Sequence, residues 1–286
     1  IGNEYEDTFK EEHIKVFKEA IYSLINRNES FYLPFDDATN LKICDSIYHS
    51  PYNMLFKRVF YDIENRTINV EYLYDLDEQN KILNYVDVKM DELFKSLFTE
   101  DMNLLDKLIV LFGYAEKNFS YLMGYPSIYI KEDGKTLKIP LYHLLKNKSG
   151  VCHTFSFFLD YFCQLEGVNN YLVTGWADTK YHMWNMIQLD DGKYYYFDIT
   201  SAIRNGKPLS DVFIGFGIGN TEYKLYKYKL ENGEVIDLNN NFEDLRGIKK
   251  YEYLGEHIFK FTYKNGKISY YNTETRTLSD SINKIK

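Results

Sequence analysis

Three side chains that can cooperate in nucleophilic catalysis follow one another along the middle of the chain: Cys152, His182 and Asp198. Only the thiolate of a cysteine attacks well, and an unperturbed thiol, with a pKa of about 8.5, is mostly protonated at neutral pH. A histidine can accept the thiol proton, and a carboxylate can hold that histidine in the correct tautomer. These residue types predict covalent catalysis by Cys152, with His182 as the base and Asp198 as the group that orients it.

Cys152 is expected at the start of a helix, where its thiol would ionise more easily. Apolar residues recur after it at helical spacing, and Gly167 is a natural stop. The unpaired N–H groups and the dipole at a helix N-terminus favour an anion and lower a thiol pKa. The backbone N–H of Cys152 would be one donor to the oxyanion of a reacting carbonyl, and Gly150 would allow close approach.

Whether His182 and Asp198 can meet depends on the turn between two predicted strands. Alternating patterns predict an antiparallel meander of strands over residues 171–176, 181–189 and 193–199. A two-residue turn would put His182 and Asp198 on opposite faces of the sheet. A three-residue turn over 190–192 puts them on one face as diagonal neighbours, roughly 7–8 Å apart. We expect the three-residue turn, because Gly192 suits its left-handed last position.

The remaining cysteines, Cys44 and Cys163, do not indicate a disulfide framework. Cys163 is predicted on the same helix as Cys152, roughly 16 Å away, which is too far for a bridge. We expect Cys163 to be an inert core thiol. The histidines and cysteines near the site lack the spacing of metal ligands, so the sequence predicts no metal and no cofactor.

Composition restricts the class of protein. Of the 286 residues 45% are apolar, which is enough for a sizeable core, and 28 Tyr and 20 Phe suit sheet and core positions. The net charge is −8 with scattered Lys and Arg, so a nucleic-acid partner is not expected. No apolar stretch approaches the roughly 18 residues of a membrane span, so no transmembrane segment is predicted.

The elements around the site divide the chain into three predicted regions. Residues 1–100 are expected to form an accessory region with a helix over 8–26 and a hairpin over 57–74. Residues 101–208 would form the catalytic core, with a helix over 101–118 and an irregular stretch over 124–140. Residues 209–286 would form a β-rich extension with hairpins over 223–238 and 257–271, each around an Asn-Gly pair. The predicted fold class is α+β.

Three ordered motifs resemble the transglutaminase-like superfamily. They are residues 149–152 (Ser-Gly-Val-Cys), residues 182–185 (His-Met-Trp-Asn) and residues 194–200, an aromatic strand that ends in Asp-Ile-Thr. Their spacings, 30 residues from Cys152 to His182 and 16 from His182 to Asp198, are normal for that family. The resemblance covers about residues 104–200. It implies a papain-like α+β core, in which a helix carrying the cysteine packs on an antiparallel sheet carrying His182 and Asp198.

The same resemblance implies acyl transfer on a peptide or protein substrate through a thioester. Hydrolysis of amide bonds, as in a protease or peptidase, is the favoured outcome. The alternatives are crosslinking by a protein-glutamine transglutaminase and an inactive binding or scaffold module of the cell envelope. The chain departs from the family at His153-Thr154 after the cysteine, at Met183 in place of Ala, and at Ser201 in place of Trp.

Two further expectations concern the second oxyanion donor and the location of the protein in the cell. Trp176, Asn185 and Gln188 are candidates for the second oxyanion donor, although strand parity turns Asn185 away from His182 and favours a structural role. The chain begins at Ile1 rather than Met, so we expect that an N-terminal segment was removed, and a lost export signal would fit. The expected location is extracellular or at the cell envelope, with the cytoplasm as the alternative. No oligomeric state is predicted.

Overall fold

The computed structural model describes residues 11–48, 50, 52, 55–122, 130–132, 135–137, 140–177, 180–203, 211–218, 228–230 and 242–285. The helices in these ranges are α1 (Glu11–Ile25), α2 (Asp37–Tyr48), α3 (Leu76–Leu97), α4 (Leu104–Asn118), α5 (Pro140–Asn147) and α6 (Cys152–Leu165). None of the described helices is both long enough and apolar enough to cross a membrane.

The strands pair mainly in antiparallel sheets. In chain order they are β1 (Ser30–Tyr32), β2 (Phe56–Asp62), β3 (Thr67–Tyr72), β4 (Ser120–Tyr121), β5 (Ile130–Glu132), β6 (Lys135–Leu137), β7 (Ser149–Gly150), β8 (Asn170–Ala177), β9 (Lys180–Gln188), β10 (Tyr194–Phe197), β11 (Tyr228–Leu230), β12 (Ile248–Tyr253), β13 (Ile258–Tyr263), β14 (Ile268–Asn272) and β15 (Thr277–Ser279). The larger sheets have the orders β1-β3-β2, β10-β9-β8-β11 and β12-β13-β14-β15. Mixed helix and sheet is the class that the sequence predicted.

The N-terminal region contains the predicted helix and hairpin and two helices that the sequence analysis missed. Strands β2 and β3 form the hairpin, with Asp62 opposite Thr67 and Arg66 left-handed in the turn. The first missed helix is α2. The second, α3, is 22 residues long and is capped by Asp75, which accepts a hydrogen bond from the N–H of Glu78. Its buried residues Ile82, Val86, Met90 and Phe94 recur every four residues, so the helical period was present in the sequence.

The central sheet, β10-β9-β8-β11, lies against α6. The Ser156 hydroxyl in α6 donates to the carbonyl of Met183 in β9 at 3.0 Å, and the Asn185 amide donates back to the Ser156 carbonyl at 3.1 Å. Helix α4 packs in the same core and begins with a capping box between Asn103 and Asp106. These contacts fix the start of α6 relative to β9 and β10.

The stretch predicted as irregular contains regular structure. Residues 130–132 and 135–137 pair as the antiparallel hairpin β5-β6, and α5 begins at Pro140. The expectation of an irregular loop over 124–140 was therefore wrong for these residues, and its remaining residues lie outside the described ranges. Strands of three residues offer too few positions for an alternating pattern to be recognised.

The C-terminal residues form a second sheet that shares a core with the first. The hairpin over 257–271 is confirmed, since Ile258 lies opposite Asn272 and Gly266 is left-handed with φ +81°. Of the hairpin predicted over 223–238, only β11 is described, and it pairs with β8 instead. The other residues of that hairpin lie outside the described ranges.

Buried aromatic residues of both sheets belong to one hydrophobic cluster, which includes Phe197 of β10 and Phe261 of β13. Gly113 in α4 is required by this packing, because an added Cβ would lie 1.9 Å from the Tyr251 ring of β12. A separate cluster fills the N-terminal region. The division of the chain at residues 100 and 208 stays a prediction.

Candidate active site

The start of α6 is fixed by a short parallel strand pair and by a side-chain cap. Strand β7 lies beside β4, with Gly150 opposite Tyr121. Val151 is extended, and its N–H donates to the Thr154 hydroxyl at 3.2 Å. A Cβ at Gly150 would lie 2.6 Å from the side chain of Thr154. Glycine is therefore needed here so that the chain can pass over the first helical turn and place Cys152 at the first helical position.

The turn before β10 is the three-residue turn that the sequence predicted. Gly192 has φ +75°, and its N–H donates to the carbonyl of Leu189 at 2.9 Å. Gln188 lies opposite Tyr194, which is the register that a turn over 190–192 gives. The prediction of the turn and of its register is confirmed.

This register brings His182 and Asp198 into contact. The Nε2 atom of His182 lies 2.9 Å from Oδ2 of Asp198. Both side chains are largely buried, with 12% of His182 and 5% of Asp198 exposed. The hydrogen bond occupies Nε2, so Nδ1 is the nitrogen left to face the thiol, with which His182 also interacts.

Asp198 is held by backbone contacts that the sequence analysis did not anticipate. Its N–H donates to the carbonyl of Gly215 at 2.8 Å, and its carbonyl accepts from the Ser201 hydroxyl at 2.6 Å. A Cβ at Gly215 would lie 2.3 Å from that carbonyl oxygen and 2.1 Å from the Ser201 Oγ atom. Gly215 is thus required for the placement of Asp198, although nothing in its local sequence distinguishes it.

Aromatic packing limits the motion of the His182 ring. Its centroid is 6.0 Å from the ring of Trp184, and the two planes differ by 21°. Trp184 is fully buried and meets Tyr196 edge-on at 5.6 Å. Since Trp184 lies two residues after His182 on the same strand face, the indole supports the imidazole in the orientation that reaches Asp198.

The electrostatic environment favours a thiolate–imidazolium pair. Burial opposes ionisation of Cys152, but hydrogen bonds and charges of His153 and His182 outweigh it and lower the pKa of the thiol to about 5. Burial likewise opposes charge on His182, yet the Asp198 carboxylate and the thiolate raise the pKa of the imidazole. Burial raises the pKa of the other two free thiols, Cys44 and Cys163, as expected of inert cysteines.

Two residues that the sequence analysis did not place at the site lie against Cys152. The Nδ1 atom of His153 is 3.5 Å from the Cys152 sulfur. The hydroxyl of Tyr121 lies within hydrogen-bonding reach of both the sulfur and the backbone N–H of Cys152. Burial and the neighbouring thiolate raise the pKa of Tyr121 to about 12, so the phenol stays protonated. His153 was visible in the sequence as a departure from the family pattern, whereas Tyr121 is brought in only by the β4–β7 pairing.

The candidates for a second oxyanion donor fare differently. Asn185 is fully buried and donates to Ser156 and Asn170, away from the thiol, as strand parity predicted. The Gln188 amide donates to the carbonyl of Gly192 in the turn, so this suggestion was wrong. The side chain of Trp176 lies outside the described residues. Within the described residues, no cluster of three or more histidine, cysteine or acidic side chains could hold a metal ion.

Comparison with known proteins gives distant structural similarities only. No known protein-family profile matches the sequence, and no curated protein matches it. Among solved structures, the chain is similar to a protein from Cytophaga hutchinsonii provisionally assigned as a cysteine protease, with 17% identity and a TM-score of 0.31 over 45% of this chain and 43% of that one. A protein described as a TGase gives 17% identity and a TM-score of 0.33 over 62% of this chain and 51% of the other.

A third similar structure, from Parabacteroides distasonis, is provisionally assigned as a protease; it gives 16% identity and a TM-score of 0.30 over 63% of this chain and 34% of that one. The chain thus spans about half or less of the length of these proteins.

Proposed function

We propose that this protein is a transglutaminase-like cysteine enzyme that hydrolyses amide bonds of peptides or proteins through a thioester at Cys152. The observation that carries the proposal is the hydrogen bond of His182 to Asp198 beside a thiol whose pKa is lowered at the start of α6. A buried structural cysteine shows the opposite shift, as Cys163 does. The ion pair gives Cys152 the reactive form of a nucleophile at neutral pH.

In the proposed acylation step, the Cys152 thiolate attacks the substrate carbonyl and a C–S bond forms. The developing oxyanion accepts a hydrogen bond from the backbone N–H of Cys152. The His182 imidazolium passes a proton from Nδ1 to the departing amine, and the C–N bond breaks. Asp198 accepts the Nε2–H throughout and keeps Nδ1 directed at the reacting atoms.

Deacylation reverses these roles. Neutral His182 takes a proton from water as the water oxygen attacks the thioester carbonyl, and the C–S bond breaks with release of the thiolate and a carboxylic acid. An amine in place of water would give a new amide and a crosslink. The two outcomes share the acyl-enzyme and differ only in the acceptor, so crosslinking is the alternative function.

Tyr121 is proposed as the second oxyanion donor. Its hydroxyl lies beside the N–H and the sulfur of Cys152, and its raised pKa keeps the donor proton in place. A substrate carbonyl that reaches the sulfur would have to accept a hydrogen bond from this hydroxyl or displace it.

The proposal is tested with a peptide library that contains glutamine side chains, with and without a fluorescent primary amine. Product masses distinguish backbone cleavage, glutamine deamidation and amine incorporation. We expect cleavage by the wild-type protein and none by Cys152→Ala, whose melting temperature should be nearly unchanged because only one sulfur atom is removed.

Incorporation of the amine without cleavage would favour the crosslinking alternative. A protein that gives no product, and whose Cys152 reacts with iodoacetamide no faster than Cys44 and Cys163, would instead match an inactive binding or scaffold module. The extracellular or envelope location stays a prediction, which fractionation of cells that express the full-length protein would test.

A further inference from the structure

The thiol of Cys152 has a second imidazole beside it. His153 follows Cys152 directly, in the first turn of α6, and its Nδ1 atom lies 3.5 Å from the sulfur. Sulfur accepts hydrogen bonds at longer distances than oxygen, so this separation is a contact. His182 approaches the same sulfur from β9, a different element. The thiol is therefore placed between two histidines that come from a helix and from a strand.

We propose that His153 is a second catalytic imidazole, which donates its Nδ1–H to the Cys152 thiolate and stabilises it when the thiolate forms and when it leaves. This inference rests on the proposed function. His153 keeps its proton in this role: no bond to it forms or breaks, and the proton transfers belong to His182. The two histidines would divide the work between thiolate stabilisation and proton transfer.

The proposed reaction needs one histidine for proton transfer and a separate donor that stabilises the thiolate. His182 gives up its proton to the leaving amine during acylation and must be neutral to accept one from water. It therefore cannot serve as a constant source of positive charge beside the sulfur. In deacylation the thiolate itself is the leaving group, and a donor that keeps its proton lowers the energy of that departure.

The other described groups that face the sulfur have further roles in the proposed reaction. Tyr121 in β4 contacts the thiol, but its hydroxyl also lies at the Cys152 N–H, where the oxyanion would form. Asp198, after β10, carries negative charge and is bonded to His182. His153 is partly exposed at the helix start, and its contact with the sulfur lowers the pKa of the thiol.

A matched pair of variants separates this role from simple packing. His153→Asn keeps an N–H donor close to the position of Nδ1, and His153→Leu keeps similar volume without a donor. The rate of iodoacetamide labelling at Cys152 is measured against pH for each full-length protein by site-resolved mass spectrometry. Labelling needs no substrate, so it reports the thiolate alone.

We expect His153→Leu to shift the midpoint of the labelling profile upward by roughly one pH unit or more, the shift that loss of a hydrogen bond to a charged group would produce. His153→Asn should retain most of the wild-type profile. In peptide hydrolysis, His153→Leu should lower kcat more than it raises KM. A His153→Leu profile that superimposes on the wild-type profile, with unchanged kcat, would overturn the inference.

His182→Ala distinguishes failure of this inference from failure of the proposed function. If His182→Ala loses hydrolysis while His153→Leu behaves as wild type, only the role of His153 is wrong. If His182→Ala hydrolyses peptides as fast as wild type, the proposed function itself fails. Circular dichroism and melting temperature are recorded for every variant, and His153→Ala, which also lacks the donor, carries the comparison should His153→Leu fail to fold.

Discussion

Among the described residues, two histidines are hydrogen-bonded to buried aspartates, and the two pairs differ in what surrounds them. In the first pair, Nε2 of His182 meets Asp198 at 2.9 Å beside the thiol of Cys152. In the second, Nδ1 of His257 meets Asp106 at 2.6 Å, where α4 joins the C-terminal sheet. A short hydrogen bond between imidazole and carboxylate therefore does not by itself mark a catalytic site.

The remaining contacts of each carboxylate explain the difference. Asp106 is fully buried and accepts two further hydrogen bonds, from the N–H of Asn103 at 3.0 Å and from the hydroxyl of Thr273 at 2.5 Å. It thereby caps α4 and ties the helix to the C-terminal sheet. The Asp198 carboxylate also accepts from the N–H of Thr200 at 3.2 Å. In the proposed function it orients an imidazole whose other nitrogen faces the nucleophile. The Asp106 carboxylate therefore stabilises the fold, whereas the proposed role of the Asp198 carboxylate is to orient His182.

Exchanging the two carboxylates for amides should give opposite phenotypes. Asp198→Asn should reduce kcat by about four orders of magnitude, because an amide favours the wrong tautomer of His182, and should change stability little. Asp106→Asn should leave kcat near wild type but lower the free energy of unfolding by about 3 kcal/mol, because a buried charged network is broken.

Both variants are measured by peptide hydrolysis and by urea unfolding. If Asp198→Asn keeps wild-type rates of hydrolysis, Asp198 has no catalytic role and the proposed difference between the two pairs is wrong. The difference is also contradicted if Asp106→Asn abolishes hydrolysis in protein that is still folded.

Tyr121→Phe sharpens the account of the first pair by removing one hydroxyl. We expect kcat to fall by about two orders of magnitude, as for loss of one oxyanion donor. Iodoacetamide labelling of Cys152 should change much less than hydrolysis, since alkylation develops no oxyanion. A variant with faster hydrolysis than wild type would instead mean that the Tyr121 hydroxyl blocks the carbonyl position.

The smallest effect is expected for the pH dependence of the stability that the second pair, His257 and Asp106, contributes. The hydrogen bond and then the charge of Asp106 raise the pKa of His257 in the folded protein, so the folded state binds more protons there than the unfolded state does. Stability from this pair is fully present below the unfolded value of about 6.5 and is lost as pH rises through the raised folded value.

His257→Gln isolates this contribution. The melting temperature of the wild-type protein should exceed that of the variant most at low pH, and the difference should shrink as pH rises. Because 26% of the His257 side chain is exposed, solvent weakens the effect. A difference that is the same at every pH would show that protonation of His257 does not contribute to folding.

The part of the site that could be predicted is the part that depends on short-range rules. Gly192 determined the type of the turn, the turn determined the register, and the register put His182 and Asp198 on one face. The helix that begins at Cys152 followed from apolar spacing and ended at Gly167, which is left-handed with φ +68°. Both the turn and the helix could be predicted because residues close together in the sequence determine them.

The missed residues depend on contacts between distant segments. Tyr121 reaches Cys152 because β4 pairs with β7, a two-residue parallel contact that leaves no periodic pattern. Gly215 supports Asp198 from a segment with no recognisable element. His153 was noticed, but its direction depends on how the first turn of α6 is oriented. Helix α2 was missed because its apolar periodicity is weak. The four-residue spacing of Ile82, Val86, Met90 and Phe94 in α3 was visible in the sequence, so α3 could have been predicted.

The three-residue turn before β10 has a genetic consequence. Loss of a single codon among those for residues 190–192 would reverse the parity of β10 and turn Asp198 to the opposite face of the sheet. The Arg276 guanidinium donates to the Asp191 carboxylate of this turn at 2.6 Å, as does the Tyr195 hydroxyl at 2.6 Å. Arg276 therefore holds the turn from the C-terminal sheet. We expect the turn to tolerate no insertions or deletions, even though it lies at the end of the β9–β10 pair that is away from the thiol.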